Sequence, residues 1–458
     1  MALDLPLSDA EFAGLMAGFE ADRALSQPMR QGVAVGLSGG ADSMALMALM
    51  ARWAAARAIP VRAMSVDHGL RHGSAGELHI VAEQMAALGI PHDILPWRGE
   101  KPTRAVQANA RAARYRLLEG HCRRLGIGAL FLAHHRDDQA ETFLLRLARG
   151  SGVRGLAAMA PVAPPLSPPH EEATQANSPW RYRPLLAVPK ARLVATCVDR
   201  GLAWIEDPSN HNPAFDRTAA RSLLASHPLP GLNAARLADT AFHLRRADAA
   251  LAFYTARLAR TCVKPAAAGH VILATGRLDE APDEIILRLL SDLLVHVGGL
   301  IHPPRLRPLE SLWAQIRAGK FAGQTLAGCL LAPIKGGTPE TAGDVLICRE
   351  PAACAPALDL QPGEQALWDG RFQVALAQNA ARGRVMAIGA RGWQQIRPFV
   401  MDGEGDRLPH PVRLGLPGLW REDRLVAAPF LDFPDAQGGR AQGRFEARLS
   451  RPFRVLSL

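Results

Sequence analysis

The stretch VAVGLSGGADS, residues 33–43, decides the fold of the N-terminal half of this chain. A short apolar run, Val33 to Leu37, leads directly into a turn with paired glycines and then into a helical pattern from Asp42 to Arg57. Strand, glycine turn and helix in this order are typical of a βαβ unit in a parallel sheet. Such a turn places the N-terminus of its helix at the carboxyl edge of the sheet, where α/β proteins bind their ligands.

The same rhythm of strand and helix continues to about residue 200. Three further strands are predicted in VRAMSVDHG, HDILPW and ALFLAHH, and helical patterns follow them at 75–88, 106–125 and 138–149. The segment from Arg181 onward predicts one more strand and a helix that begins near Pro189. We therefore predict an α/β fold with a doubly wound parallel sheet.

The length of 458 residues exceeds that of most single domains, so we expect several compact units. We predict an N-terminal domain over residues 1–226 and a helical second domain over 227–341, because helical periodicity dominates from Pro228 to Gly319. Short alternating runs broken by Gly and Pro then predict a small β-rich domain over 342–458. The proline-rich stretch from Ala160 to Pro179 is predicted to be a surface loop.

The charge balance points to a polyanionic partner. The formal net charge is +10, and residues 371–458 carry 14 arginines, no lysine and 8 acidic residues, which gives that arginine-rich segment +6 of the total. A basic surface binds nucleic acid by releasing counterions from phosphates, so this segment is a candidate contact to RNA or DNA. The alternative is that its arginines pair with acids of the same segment or cover a domain interface.

Several features predict a cytoplasmic protein. The six cysteines are scattered and form no CxxC pair, which favours free, mostly buried thiols in a reducing compartment. The N-terminal sequence MALDLPLSDAEF lacks the basic and apolar regions of a secretory signal. No apolar run approaches the roughly 20 residues that span a bilayer, so no membrane partner is expected.

The glycine turn predicts a phosphate site. Paired glycines allow the backbone to approach an anion, and the first N–H groups of the following helix point toward it. Hydroxyl and carboxylate groups complete the turn, and the carboxylate of Asp42 is suited to hold Mg²⁺ against phosphates. The predicted nucleotide-binding residues are Ser38, Gly39, Gly40, Ala41, Asp42 and Ser43. No lysine follows, so the GxxxxGK[ST] phosphate loop is absent.

A second polar cluster follows the ALFLAHH strand. Asp137, Asp138 and Glu141 lie within about one helical turn, so they are candidate catalytic acids that hold Mg²⁺ or accept a proton. We predict Asp42 and Asp138 as the metal ligands. The alternative for the acids is an N-terminal cap favoured by the helix dipole.

Basic residues are predicted near the same edge. Arg111 and Arg114 lie one helical turn apart, which suits them to stabilise phosphate charge, and Arg111 is a candidate catalytic residue. The alternative is a solvated basic face. His68, His134 and His135 end predicted strands, and buried structural histidines are the alternative to a chemical role for them.

These segments carry a resemblance to a known family. SGGADS resembles the PP-loop of the ATP pyrophosphatase superfamily, whose members bind ATP so that its α-phosphate is attacked and pyrophosphate leaves. Within that superfamily, the segments that resemble the tRNA(Ile)-lysidine synthetases are VDHGLR (66–71), ANARAARY (108–115), AHHRDDQAET (133–142), RGSG (149–152), RPLL (183–186), WIEDPSN (204–210) and Asp216-Arg217 with Arg221. They cover about residues 31–224, in the same order. One departure is Gln107, where the family often has Glu; because an amide is no base, we interpret that position as structural.

The resemblance implies an adenine nucleotide α-hydrolase-like fold and makes residues 1–226 the ATP-binding catalytic domain. It implies ATP and Mg²⁺, an isoleucine tRNA with a CAU anticodon, and L-lysine, whose amine displaces AMP from an adenylated wobble cytidine. It also implies a set of substrate or tRNA contacts: His68, Arg114, His135, Asp207, Asn210, Arg217 and Arg221. The sequence leaves open a homodimer.

Three other functions are alternatives to this one. A PP-loop tRNA thiolase usually brings cysteines for sulfur transfer, and none of the six cysteines here lies near Ser38 or forms a CxxC pair. A small-molecule amidating synthetase would not explain the arginine-rich segment. The non-enzyme alternative is a tRNA-binding or nucleotide-sensing module with a degenerate loop, and the intact SGGADS and DDQAET segments argue against it.

Overall fold

The computed structural model describes residues 5–69, 74–99, 101, 106–165, 178–206, 216–226, 229–334, 343–400, 408–433 and 445–450. The described residues form two compact units, one that extends to Asp248 and one that begins at Ala249. Within these residues no helix is long and apolar enough to cross a bilayer.

The first unit alternates strands and helices in the predicted order. Its strands are β1 (Val33–Leu37), β2 (Val61–Asp67), β3 (His92–Pro96), β4 (Ala129–Phe131), β5 (Val162–Ala163) and β6 (Trp180–Tyr182). Its helices are α1 (Asp9–Ala21), α2 (Arg23–Ser26), α3 (Ala41–Ala55), α4 (Ser74–Ala87), α5 (Val106–Arg124), α6 (Arg136–Ala148), α7 (Val153–Leu156), α8 (Lys190–Asp199) and α9 (Asp216–Ala225). Helix α10 (Ala234–Cys262) begins in this unit and ends in the second.

The six strands form one sheet in the order β3-β2-β1-β4-β6-β5. All neighbours pair in parallel except β5, which runs antiparallel to β6. Strand β1 is central and every residue in it is buried, as expected for a strand covered by helices on both faces. The predicted doubly wound parallel sheet is therefore confirmed, and the short antiparallel strand β5 is an addition.

Aromatic packing joins β4 and β6 to the N-terminal helices. The rings of Phe131 and Tyr182 stack with centroids 4.9 Å apart, and Phe19 of α1 meets Tyr182 edge-on. The Tyr182 hydroxyl donates a hydrogen bond of 2.7 Å to the carbonyl of Leu25, so this buried polar group is satisfied. These contacts fix the carboxyl ends of β4 and β6.

The second unit combines helices with antiparallel strands. Its strands are β7 (Val263–Pro265), β8 (Val271–Leu273), β9 (Gln324–Leu326), β10 (Cys329–Pro333), β11 (Val345–Arg349), β12 (Leu358–Leu360), β13 (Gln365–Trp368), β14 (Phe372–Leu376), β15 (Gly383–Ala387), β16 (Pro417–Arg421), β17 (Arg424–Ala427) and β18 (Phe445–Leu449). Its helices are α11 (Asp283–Val297), α12 (Leu306–Arg317), α13 (Gly389–Val400) and α14 (His410–Leu414).

These strands form three sheets, with the orders β7-β8-β11-β10-β9, β12-β15-β16-β17 and β13-β14-β18. The helices expected between 227 and 341 are present as α10 to α12, and the C-terminal region is β-rich as expected. The five-stranded sheet was not evident from periodicity because its strands are only three to five residues long. In this sheet β10 lies before the predicted domain boundary at residues 341/342 and β11 lies after it, and the two strands pair. The division into three domains stays a prediction.

One buried charge cluster belongs to this unit. Asp369 accepts hydrogen bonds from Arg349 (2.8 Å), from Arg371 (2.7 Å) and from the backbone N–H of Ala355 (2.8 Å). Arg371 also donates to the carbonyl of Gly415 at 3.0 Å and is 5% exposed. Arg371 was counted with the arginine-rich segment, but its burial and its pairing exclude it from a contact to nucleic acid.

The six cysteines are free thiols, and five of them are buried, as predicted. Burial raises the pKa of the Cys122, Cys329 and Cys348 thiols to about 12. These groups therefore remain protonated and unreactive at neutral pH.

Candidate active site

The glycine turn between β1 and α3 has the geometry of an anion site. Gly39 has φ +82°, a left-handed conformation that side chains rarely adopt, and a Cβ there would lie 2.8 Å from Ile205 Cδ1. The carbonyl of Gly39 accepts a hydrogen bond of 2.9 Å from the N–H of Ile205, which ties the turn to the segment after α8. Glycine is thus required at this position by both backbone angle and space.

Two serines close the turn on itself. The Ser43 hydroxyl donates to the carbonyl of Gly40 at 2.9 Å and accepts from the N–H of Ser38 at 3.1 Å. Helix α3 begins at Ala41 with Gly40 as its N-cap, so the free N–H groups of its first turn point into the glycine turn. The helix dipole adds positive potential there, which favours phosphate.

Asp42 lies in the first turn of α3 and faces the start of α6. Its Oδ2 is 3.4 Å from His135 Nε2, and the same nitrogen is 3.5 Å from Asp138 Oδ2. The other ring nitrogen, His135 Nδ1, is 3.6 Å from Asp137 Oδ2. These distances are long for hydrogen bonds, so we describe them as ion-pair contacts around one imidazole that is 4% exposed.

Burial and the neighbouring charges shift the pKa values of His135 and Asp137 in this cluster. Burial lowers the pKa of His135, but the carboxylates of Asp137, Asp42 and Asp138 outweigh burial and raise that pKa to about 10. Burial raises the pKa of Asp137, whereas His135 and the N–H of Lys190, at 3.0 Å, together hold it at about 2. His135 is therefore an imidazolium ion at neutral pH, and it compensates the charge of three carboxylates.

Glu141 occupies the next turn of α6 on the same side. It is 2% exposed, and its Oε1 accepts a hydrogen bond of 2.8 Å from Arg221 of α9. Burial raises the pKa of Glu141, and Arg221 opposes that rise. Its second oxygen, Oε2, is buried and has no hydrogen-bond partner among the described residues. A carboxylate with one anchored and one unpaired oxygen is suited to proton transfer.

Other predicted site residues lie on α5, on α9 and just after β2. Arg114 of α5 reaches the carbonyl of Gly36 in β1 at 3.4 Å, and the guanidinium of Arg111 lies 5.2 Å from the ring centre of Tyr115. His68 meets the Trp97 ring edge-on, and its pKa is lowered by burial and by Arg114. Arg217 of α9 is exposed. The structure thus places these four predicted residues in the first unit, while their chemical roles stay predictions.

The predicted Mg²⁺ ligands are compatible with the geometry. Asp42 and Asp138 each contact the same imidazole nitrogen, and Asp42 Oδ1 is buried without a partner among the described residues. No group of three His, Cys, Asp or Glu residues in the described part of the chain forms a closed metal site. Mg²⁺ is commonly held by one or two carboxylates together with substrate phosphates, so a two-carboxylate arrangement fits this ion.

Two predicted contacts, Asp207 and Asn210, lie outside the described residues, and so does the side chain of Gln107. The sequence pattern did not reveal the role of Gln139, whose amide accepts from the N–H of Met159 at 2.8 Å and donates to its carbonyl at 2.9 Å. This pairing fixes α6 to the segment before β5. Only its position inside the DDQAET segment marked it in the sequence.

One expectation about cysteines requires correction. None of the six was expected near Ser38, yet the Cys197 thiol of α8 donates to the carbonyl of Ala41 at 3.2 Å. The two positions are far apart in sequence and meet because α8 packs against α3. Burial raises the pKa of Cys197 to about 11, so the thiol is a packing group and not a sulfur carrier.

Replacing His135 by Gln should destabilise the first unit, because the variant leaves three carboxylates without their cation. We expect a loss on the order of 3 kcal/mol in chelator-treated buffer. Because the pKa of His135 is raised in the folded protein, its contribution to the free energy of unfolding is complete below about pH 6.5. That contribution declines as the pH rises toward about 10. Because the pKa of Asp137 is lowered in the folded protein, its contribution to the free energy of unfolding is complete above about pH 4. That contribution is lost as the pH falls toward about 2.

The stability difference between the wild-type protein and His135→Gln should therefore peak from about pH 4 to pH 6.5, and urea unfolding across pH measures it. The matched control is His79→Gln, because His79 forms an exposed pair with Glu83 at 3.3 Å and should contribute little. A stability difference that stays constant between about pH 6.5 and pH 10 would contradict the ion-pair account.

Comparison with known proteins adds to this geometry. The family model of the PP-loop domain, ATP_bind_3, matches residues 18–227. The tRNA(Ile)-lysidine synthase of Ruegeria pomeroyi is 37% identical over 402 residues, which cover 88% of each chain. The tRNA(Ile)-lysidine synthase of a Methylobacterium species is 42% identical over 308 residues, 66% of this chain and 86% of the relative.

The enzyme of the same name from Wolbachia pipientis is 31% identical over 406 residues, which cover 88% of this chain and 89% of the relative. The matches thus extend over both compact units. The chain belongs to the tRNA(Ile)-lysidine synthase family, and its N-terminal unit is a PP-loop domain.

Proposed function

We propose that this protein ligates L-lysine to C2 of the wobble cytidine in an isoleucine tRNA with a CAU anticodon, and converts ATP to AMP and pyrophosphate. The observation that carries the proposal is a contact at the PP-loop: Asp42 of the loop and Asp138 of α6 lie against the same His135 nitrogen. The relatives of this chain are tRNA(Ile)-lysidine synthases. The reaction makes a carbon–nitrogen bond, so we class the protein as a ligase.

The first half-reaction depends on the turn at the end of β1. Phosphates of ATP bind the N–H groups of the turn and of the α3 N-terminus. The C2 oxygen of cytidine attacks the α-phosphorus, the bond to pyrophosphate breaks, and AMP becomes attached to the base. Mg²⁺, when held by Asp42 and Asp138, would neutralise phosphate charge during this step.

The second half-reaction needs a neutral amine. The lysine amine attacks C2 of the adenylated base, the bond between C2 and the AMP oxygen breaks, and one amine proton must be accepted. Glu141 is suited to take that proton, because burial raises its pKa and its Oε2 is unpaired in the described structure. Arg221 holds the other oxygen and fixes the orientation of the carboxylate.

The surroundings support this reaction over the alternatives. A thiolase needs a reactive thiol, and the cysteine nearest the turn, Cys197, is buried with its pKa raised to about 11. Small-molecule amidation would leave the arginine-rich segment without a partner. We place the reaction in the cytoplasm, because free thiols persist in reducing compartments.

The two half-reactions separate the roles of the two acids. We expect wild-type protein to incorporate labelled lysine into a CAU-anticodon isoleucine tRNA transcript. Asp42→Asn should slow pyrophosphate release on the order of 10²-fold or more, because phosphate positioning is lost. Glu141→Gln should still release pyrophosphate and slow lysine transfer by about 10²-fold or more, because the proton acceptor is lost.

Single-turnover measurement of pyrophosphate and of lysine-modified nucleoside distinguishes the two variants. Glu20→Gln is a control, because Glu20 is half-exposed and pairs with Arg57 away from the turn. Near-normal pyrophosphate release by Asp42→Asn would remove Asp42 from the nucleotide site. Absence of lysine incorporation by the wild-type protein would refute the proposed function.

We further propose that exposed arginines of the arginine-rich segment contact the tRNA backbone. Arg397 of α13 and Arg448 of β18 are exposed, unlike the buried Arg371. Deleting the whole segment would remove Phe372 and Phe445 from the hydrophobic core of the second unit, so point variants are the appropriate test. Phosphate contacts of this kind position RNA and depend strongly on salt.

The double variant Arg397→Gln, Arg448→Gln should bind tRNA more weakly and reduce the slope of log affinity against log salt by about one to two. Its affinity for ATP should be unchanged. Arg391→Gln is the matched control, because Arg391 already pairs with Asp423 at 2.9 Å. An unchanged slope in a folded double variant would exclude these two arginines from the tRNA contact.

A further inference from the structure

Side chains from two helices converge on the turn between α7 and β5, residues 157–161, which we call the α7–β5 turn. The donors are Gln139 and Arg146 of α6 and Arg245 of α10. The accepting carbonyls are those of Gly155, Ala157, Ala158 and Met159. Backbone carbonyls that are removed from water need such partners, so these side chains determine the conformation of the turn.

Gln139 binds one residue of the turn at two points. Its Oε1 accepts a hydrogen bond of 2.8 Å from the N–H of Met159, and its Nε2 donates to the carbonyl of the same residue at 2.9 Å. Both residues are buried. In the sequence of α6, Gln139 stands between the acids Asp138 and Glu141. Because backbone hydrogen bonds fix the spacing of residues in a helix, a shift at Gln139 also moves both acids.

Arg245 of α10 reaches the same carbonyl. Its Nη2 donates to the carbonyl of Met159 and, at 2.8 Å, to that of Ala157. Burial lowers the pKa of Arg245, which shows that its guanidinium is largely withdrawn from water. Hydrogen bonds from a charged donor are stronger than those from a neutral one. The carbonyl of Met159 therefore has one partner on α6 and a second, charged partner on α10.

Apolar contacts join the same elements. Ala140 and Phe143 of α6 and Leu237 and Ala241 of α10 form one buried cluster, and Ala158 of the turn packs against it. Ala158 has φ +51°, a left-handed conformation that is unfavourable for a residue with a side chain. Such a conformation persists only where the surrounding structure imposes it. The α7–β5 turn is therefore held in one specified conformation between α6 and α10.

We infer that Arg245 is a positioning residue for the proposed reaction and acts on the acids of α6 through the carbonyl of Met159. The inference rests on the proposed function for the roles of Asp138 and Glu141. Removal of Arg245 loosens the turn, so α6 shifts relative to the PP-loop. A misplacement of about 1 Å at reacting groups costs rate on the order of 10²-fold. ATP binds at α3, so its affinity should not depend on Arg245.

The test uses full-length protein in single-turnover reactions with saturating ATP, a CAU-anticodon isoleucine tRNA and labelled lysine. Arg245→Gln should slow lysine transfer about tenfold, because the acids lose their fixed position. Its apparent affinity for ATP should stay within about twofold of the wild-type value. Arg245→Lys keeps the charge but not the planar guanidinium, so it should recover part of the rate and be slower by about threefold.

Two control variants separate positioning from stability. Arg246 is the next residue of α10 and is exposed, so Arg246→Gln should keep the wild-type rate. Arg146 donates to the carbonyls of Gly155 at 2.7 Å and Ala158 at 2.9 Å, so Arg146→Gln weakens the turn but leaves Met159 both of its partners. We expect its thermal stability to fall as in Arg245→Gln and its rate to stay within about threefold of the wild-type rate. A purely structural role predicts rates that follow stability in both variants.

A double-mutant cycle tests the route from α10 to α6. If Arg245 acts through Gln139, the variant Gln139→Met already breaks the connection. Adding Arg245→Gln to it should then change the lysine-transfer rate by less than about twofold. A further tenfold loss in the double variant, about the same as in the single variant, would show independent action and contradict the inference.

Hydrogen exchange gives a measurement that does not depend on activity. The N–H of Met159 should exchange about tenfold faster in Arg245→Gln than in Arg246→Gln, because its turn is loosened. Unchanged exchange in folded Arg245→Gln, or lysine transfer as fast as in Arg246→Gln, would overturn the inference. If Arg245→Gln does not fold, Arg245→Lys decides by the same two measurements. If wild-type protein modifies no tRNA, the proposed function fails, and exchange at Met159 still decides whether Arg245 holds the turn.

Discussion

The parallel pairing of β1 with β4 is the constraint on which the active site depends. Both strands end at the same edge of the sheet, and each is followed at once by a helix with acidic residues in its first turn. Asp42 therefore meets Asp138 although almost a hundred residues separate them in sequence. Like charges so close would repel, and the buried His135 imidazolium between them makes the arrangement stable.

The same edge of the sheet carries both acidic and basic side chains. Carboxylates of α3 and α6 meet around His135, where they suit a cation or an incoming ammonium group. Arg114 of α5 reaches the end of β1, and Arg183 follows β6, where guanidinium groups suit phosphates. A reaction that brings ATP, a polyanionic RNA and a cationic amino acid to one point needs both kinds of charge, and parallel strands supply them from separate parts of the chain.

Much of this was predictable from sequence, because local patterns determine it. The PP-loop, the order of strands and helices to α8, and the acids of α6 follow from periodicity, glycines and helix-start residues. The cation at His135, the approach of Cys197 to Ala41 and the burial of Arg371 were not predictable, because each depends on contacts between distant segments. The five-stranded sheet was missed because strands of three to five residues carry little periodic signal.

The proposed reaction requires that ATP activates the base of the RNA, and not the amino acid, at this edge of the sheet. An isoleucine tRNA that carries ¹⁸O at the C2 oxygen of its wobble cytidine tests this most directly. Because that oxygen attacks the α-phosphorus and leaves with it, mass spectrometry should find one ¹⁸O atom in each AMP released during lysine transfer. Unlabelled AMP, with ¹⁸O retained in the tRNA or found only when the lysine carboxylate is labelled, would contradict the account.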